Sequence, residues 1–289
     1  MSNMLSHNAH VLGSVATSSL TAWRGCLVVK SVPQPEKPIV LYDMEGCPYC
    51  RRVREALTAL NLDVDIRPCP KGGSVFRAQA EALGGRQQFP LLADQNTGTV
   101  MYESEEIIEY LFRQYAGRSV PSYYRGRVWQ PVLGSVASVT SAMRGLRVSQ
   151  GKRPEQPLHL WSFEGSPFSR LVRERLCELE IPYTLHNLGK EHWTEIGPAK
   201  QRIKPGPYTP IPGGKRDAFF QVHKRVQVPY LEDPNTGEGL FESARILKYL
   251  DALEKKRETN ALLKGQTYNR ILSEKYRWDN WAAPKKDGK

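Results

Sequence analysis

Residues 39–54 read Ile39-Val40-Leu41-Tyr42-Asp43-Met44-Glu45-Gly46-Cys47-Pro48-Tyr49-Cys50-Arg51-Arg52-Val53-Arg54. The stretch opens as a short apolar run and closes in helix-forming residues, with apolar positions spaced at Val53, Leu57 and Leu60. A buried strand therefore hands over to a helix at the cysteine pair. Pro48 suits a first helical position, where a missing N–H costs nothing. The unpaired N–H groups and the positive dipole end at a helix start stabilise an anion. Cys47 should ionise more readily than a free cysteine and act as a nucleophile, with Cys50 one turn on to resolve a mixed disulfide. A zinc site would want a second Cys-x-x-Cys or a Cys/His pair. Cys26, Cys69 and Cys177 are isolated, so no metal site is expected and each of the three reads as a buried small hydrophobe.

The chain has 289 residues, enough for two domains. Its 40% hydrophobic and 25% charged content is that of a globular protein. Five cysteines without a disulfide framework suit a reducing intracellular compartment, cytoplasm or plastid stroma. The net charge of +11 reads as a solvated basic surface. An anionic or protein partner for the basic insertion and tail is the sharper alternative, and no nucleic-acid motif accompanies the charge. No stretch is apolar enough to span a bilayer, while docking on a membrane surface stays open. Residues 1–35 lack acids and mimic a transit peptide.

That reading yields to a repeat. Val11-Leu12-Gly13-Ser14-Val15-Ala16 returns as Val132-Leu133-Gly134-Ser135-Val136-Ala137, and Arg24-Gly25 as Arg144-Gly145. Stretches 11–25 and 132–145 are expected to be lead helices, the first spaced on Leu12, Val15, Leu20 and Trp23. Pro38–Leu57 matches Pro157–Leu176 at an offset of 119, with Cys47-Pro48-Tyr49-Cys50 facing Ser166-Pro167-Phe168-Ser169. Gln88-Phe89-Pro90, Asn96-Thr97-Gly98 and Glu103-Ser104 face Gln227-Val228-Pro229, Asn235-Thr236-Gly237 and Glu242-Ser243 at an offset of 139. The second copy thus carries a net insertion of 20, placed in 191–226 and read as an irregular Pro/Gly-rich loop. Within it, His223 with Lys224 and Arg225 reads as a solvated basic loop, with anion binding as the alternative. Strands are expected near 38–43, 63–67, 90–94 and 99–102, and helices near 48–60, 74–84 and 104–115. The resulting class is α/β: two copies, each a mixed four-stranded sheet flanked by helices and preceded by a lead helix. The expected boundaries are 1–118, a linker 119–156, 157–256, and a basic tail 257–289. The lead helices suggest that the copies pack as a pseudo-dimer.

Cys47-Pro48-Tyr49-Cys50, the proline after Phe89 and Glu103-Ser104 at a helix start resemble the thioredoxin fold of glutaredoxins and of glutathione S-transferase N-terminal domains. The doubled arrangement is similar to the tandem glutaredoxin/transferase-type proteins of plant and algal plastids. The resemblance implies cis prolines at Pro90 and Pro229, with the backbone of Phe89 or Val228 free to pair with glutathione. It implies that Glu103 and Ser104 hold the γ-glutamyl end, although Ser104 could instead cap its helix toward Ile107. Tyr49 and Arg51 complete the expected glutathione set. Ser166, Val228, Pro229, Glu242 and Ser243 form a second candidate site that lacks thiols. The family's lysine three residues before the first cysteine is Met44 here, and the acids Asp43 and Glu45 would raise the Cys47 thiol unless Arg51 or Arg52 compensates. The activity implied is a glutathione-dependent thiol–disulfide oxidoreductase acting on disulfide or glutathionylated proteins, with glutathione as cosubstrate and no iron–sulfur cluster expected. The alternatives are a glutathione transferase or isomerase, and a non-catalytic glutathione-binding scaffold.

Overall fold

The computed structural model describes residues 2–20, 23–124, 144–149, 153–197 and 208–261. The second lead stretch up to residue 143, residues 198–207 of the insertion and the tail beyond residue 261 lie outside them. The first copy comprises β1 (Ile39–Asp43), α2 (Pro48–Leu60), β2 (Val64–Pro68), α3 (Phe76–Gly84), β3 (Leu91–Asp94), β4 (Thr99–Met101) and α4 (Ser104–Ala116), after the lead helix α1 (Ser2–Leu20). The second comprises β5 (Leu158–Ser162), α5 (Pro167–Glu178), β6 (Tyr183–Asn187), α6 (Lys215–His223), β7 (Tyr230–Asp233), β8 (Glu238–Phe241) and α7 (Ser243–Ala261). In each copy a parallel pair, β1 with β2 and β5 with β6, is extended by an antiparallel hairpin. The hairpin turns at Asn96-Thr97-Gly98 and Asn235-Thr236-Gly237 place Gly98 and Gly237 at φ near +71° and +74°, where glycine pays no steric cost.

The two sheets are one. The order is β4-β3-β1-β2-β6-β5-β7-β8, closed at the centre by an antiparallel β2–β6 pair. Asp65 lies opposite Thr184, its own counterpart at the 119-residue offset, while Val64 and Ile66 lie opposite Leu185 and Tyr183. An internal two-fold axis therefore passes through the Asp65–Thr184 pair, and the seam is isologous, as in a symmetric dimer. The Thr184 hydroxyl donates to Asp65 at 2.7 Å. A continuous apolar core runs under both halves, from Ile39, Leu57 and Leu111 to Leu160, Leu176 and Ile246.

The seam also explains why α2 and α5 bury charge. Arg54 and Arg173 are 1% and 0% exposed. Arg54 donates to Asp43 of its own copy at 2.6 and 2.7 Å and to Glu164 of the other at 2.8 Å. Reciprocally, Arg173 donates to Glu45 at 3.1 Å and pairs with Glu164 at 3.0 Å. Buried guanidinium groups are stable only with their donors satisfied, and here each takes one carboxylate from its own copy and another from across the axis.

The lead segments are exchanged between halves. α1 packs against α5 of the second copy, not on its own. The chain then runs past the second copy, where Gly165 N–H donates to Gly25 O and Lys190 N–H to Cys26 O. It returns to the first copy where Val29 and Lys30 donate to Ala59 O. Segment 144–149 does the converse: Lys71 N–H donates to Leu146 O, and Ser149 N–H then donates to Glu178 O.

Three expectations need correction. α1 begins earlier than residue 11 and ends at Leu20; Trp23 lies outside it at φ +54° and Leu12 is 69% exposed. Among the residues of α1 whose burial is described, Ser14 and Ser18 are the buried ones, each donating to a backbone carbonyl of the second copy. The insertion read as irregular to residue 226 contains α6, the counterpart of α3 at the 139-residue offset, so the added residues precede Lys215. His223 is not in a basic loop: it ends α6 and packs on Phe219 and Tyr230 with ring centroids 4.3 and 4.4 Å apart, while Arg225 lies 3.6 Å over the Phe241 ring.

Candidate active site

Cys47 is the N-cap of α2, with extended backbone at φ −81° and ψ 125°, and Pro48 follows at the first helical turn. The turn before it is closed by Cys47 N–H donating to Met44 O at 2.8 Å. Cys47 keeps 8% exposure and Cys50 has none. No side-chain cap bond closes onto the Cys47 sulfur. Its ionised form is favoured first by the Cys50 thiol, then opposed by burial, then favoured by the amides of Cys50 and Tyr49. The balance brings the Cys47 thiol down to about 7 from 9.0. Asp43 opposes the ionisation, whereas the Glu45 carboxylate is spent on Arg173 and Arg54. Burial pushes Cys50 well up, reinforced by its bond to Cys47. The pair is thus split into one readily ionised thiol that keeps a small exposed area and one wholly buried thiol. Alkylation of the reduced protein by iodoacetamide should follow a single sigmoid in pH with its midpoint near 7; mass spectrometry should place the adduct on Cys47.

The register carries the rest of the site to the same edge of the sheet. Tyr42 is opposite Leu91, so Pro90 sits beside the end of β1 from which the cysteine turn springs. The Phe89–Pro90 and Val228–Pro229 bonds are both cis. Pro90 is buried and Phe89 half-buried. Gln88 donates to Glu103 at 2.6 Å, tying this loop to the start of α4. Glu103 is the N-cap at φ +65°, and Ile107 N–H donates to its carbonyl. Ser104 therefore does not cap toward Ile107. Among the described residues its hydroxyl, on a residue 6% exposed, has no hydrogen-bond partner. Tyr49 stands 49% exposed beside the cysteines.

Arg51 is placed elsewhere. It is buried, donating to Glu55 at 3.0 Å and lying 3.8 Å from Glu164 across the seam. Arg52 is also turned inward, paired with Glu105 and donating to Tyr124 O at 3.1 Å. Neither is among the main influences on Cys47, whose acidity comes from Cys50 and the helix amides. Asp43 opposes ionisation of Cys47, as its place in the sequence suggests, while its ion pair with Arg54 is not repeated in the second copy, where Ser162 faces Asp43 and Arg173 faces Arg54.

The second copy reproduces the backbone. Glu242 holds φ +73°, Gln227 bonds to it, and Ser243 starts α7. Its chemistry differs. Ser166 accepts from Ser169 N–H at 3.3 Å and from the Ser169 hydroxyl at 2.9 Å, so the two serines satisfy each other as an ordinary helix cap. Ser166→Ala should cost about 1 kcal/mol in urea unfolding, the usual worth of such a cap. Cys26, Cys69 and Cys177 are buried free thiols, each pushed up chiefly by burial. Among the described residues no group of His, Cys, Asp or Glu is arranged to hold a metal ion, and no helix is long and apolar enough to cross a membrane.

Each half is a mixed four-stranded sheet with a cysteine or serine turn at a helix start, the architecture of the thioredoxin-fold superfamily. The family model for the glutathione S-transferase N-terminal domain matches residues 41–119 and 160–258, more than half of the chain, and the protein belongs to that family. No curated protein matches it. Among solved structures, Leishmania TDR1, a unique trimeric glutathione transferase, is similar at 15% identity over 75% of this chain and 68% of that one, with a TM-score of 0.23.

Proposed function

We propose that the chain is a glutathione-dependent thiol–disulfide oxidoreductase working through the first copy alone. The observation that carries this reading is the split cysteine pair: Cys47 at the helix start with its thiol brought to about 7, and Cys50 wholly buried and pushed up. The Cys47 thiolate attacks the glutathione sulfur of a glutathionylated protein. A Cys47–glutathione disulfide forms as the protein–glutathione bond breaks, and the protein leaves as a thiolate that takes up a proton. A second glutathione thiolate then attacks the mixed disulfide, releasing oxidised glutathione and restoring Cys47. One glutathione thiol is consumed and one protein thiol is freed, and the released disulfide joins the substrate's glutathionyl group to the incoming glutathione, so the number of disulfides is unchanged and electrons balance. Cys50 offers an intramolecular alternative: its attack on the mixed disulfide expels reduced glutathione and leaves a Cys47–Cys50 disulfide, which two further glutathiones reduce as they become oxidised glutathione. Glu103 and Ser104 at the start of α4 would receive the γ-glutamyl end, where amide donors and the helix dipole suit a carboxylate; the Phe89 backbone beside Pro90 would pair with the cysteinyl unit.

The test is reduction of a glutathione mixed disulfide, with oxidised glutathione reduced by added glutathione reductase. The reading predicts turnover that depends on glutathione; a folded, fully reduced protein with no turnover overturns it. The serine pair of the second copy cannot exchange thiols. A reducing compartment, cytoplasm or plastid stroma, is the setting that fits five free thiols.

A further inference from the structure

We propose that the serine copy's site is a docking site for the chain's own first helix, so that the protein takes up one glutathione rather than two. The proposal rests on the reading of the cysteine copy as a glutathione site. α1 reaches two of the features that define the second site, the Ser166 turn and Ser243. Ser14 donates to Pro167 O at 2.9 Å and Ser18 donates to Gly165 O at 3.1 Å, the carbonyls on either side of Ser166. At the other end, His7 Nε2 is 3.4 Å from the hydroxyl of Ser243 at the start of α7. From His7 to Ser18 a helix advances about 17 Å, enough to run from one end of the site to the other. Ser166 and Ser243 are left only 3% exposed.

The contact is not ordinary helix packing. A surface helix normally buries its leucines and turns its polar residues to water. Here Ser14 and Ser18 are 2% and 0% exposed while Leu12 is 69% exposed. The helix is held by hydroxyl groups aimed at backbone carbonyls, which is recognition of one particular turn. Close approach is built in: a Cβ on Gly165 would lie 2.3 Å from the Cys26 sulfur, so only glycine admits the lead segment there. The sequence does not provide the same set for the cysteine copy. In the matching stretch of the second repeat, Ser14 is kept as Ser135, but His7 becomes Val128.

Calorimetric titration of the full chain with reduced glutathione tests this. One molecule per chain is expected, and that binding should be lost in Ser104→Arg. Two molecules per chain, or one that survives Ser104→Arg, overturns the proposal. If no glutathione binds, the reading of the first copy fails, and hydrogen exchange still decides the docking. Amides of 7–18 should exchange about a hundredfold faster in Ser14→Arg/Ser18→Arg than in the wild type. Equal rates in the two proteins would mean that α1 is not seated on the serine site.

Discussion

Cys47→Ser should lower mixed-disulfide reductase activity at least about a thousand-fold, the scale on which removal of a nucleophile acts, while Cys50→Ser retains most of it. The asymmetry follows from exposure. Cys50 has no accessible surface and a thiol pushed well up, so it cannot meet an external disulfide; Cys47 can. Glutathione replaces Cys50 in resolving the intermediate. A subtler effect separates two substitutions at Cys50. The largest influence lowering the Cys47 thiol is the Cys50 S–H. Serine keeps a donor there and alanine does not. Cys50→Ala should therefore move the alkylation midpoint upward from about 7, and Cys50→Ser should move it much less. Equal midpoints in the two variants would show that the helix amides alone set the acidity.

Glu164→Gln should destabilise the fold by about 3–5 kcal/mol, the cost of removing one partner from a buried ion cluster. At about 2–4 °C per kcal/mol for a chain of this size, melting falls by about 10 °C. Burial alone would raise the Glu164 carboxyl, but Arg173, Arg54 and Arg51 outweigh it and hold it to about 2, against 4.5 ordinarily. A carboxyl depressed by folding contributes stability that is present above its unfolded value and is lost as pH falls toward the folded one. The contribution, about 3 kcal/mol on this shift, should disappear between pH 4.5 and 2 in the wild type. Urea titrations across that range should show a shallower pH dependence in Glu164→Gln. The exposed Arg113–Glu109 pair is the control: Arg113→Ala should change stability by less than about 0.5 kcal/mol, because water screens it.

The strands and helices of the first copy follow from periodicity, and each stands within about two residues of its expected place. Local pattern carries that much because strand and helix are decided over short windows. The site's backbone was legible for another reason: the cysteine turn, Phe89-Pro90 and Glu103-Ser104 recur as a set in the second copy. Two features needed tertiary knowledge, and a third needed the repeat rather than local pattern. Arg51 looks like a free cation beside a cysteine until β2 is paired with β6, which brings Glu164 against it. α1 looks amphipathic on Leu12 until Ser14 and Ser18 are seen to donate to backbone carbonyls of the second copy. α6, with only Arg216 and Phe219 buried, has no apolar stripe of its own and follows a run of prolines and glycines. The 139-residue offset could have located it, since it carries Phe76–Gly84 onto Lys215–His223.

The two-fold seam within one chain changes what a mutation can do. In a dimer of identical subunits each substitution appears twice, and the partners separate on dilution. Here the link between halves replaces a bimolecular encounter with an intramolecular one, which dilution does not weaken. The second copy, with serines in place of both thiols, still supplies Glu164 and β6 to the seam, and with them support for the first copy's cysteine turn. A half without thiols thus still serves to hold the other half's cysteine turn in position.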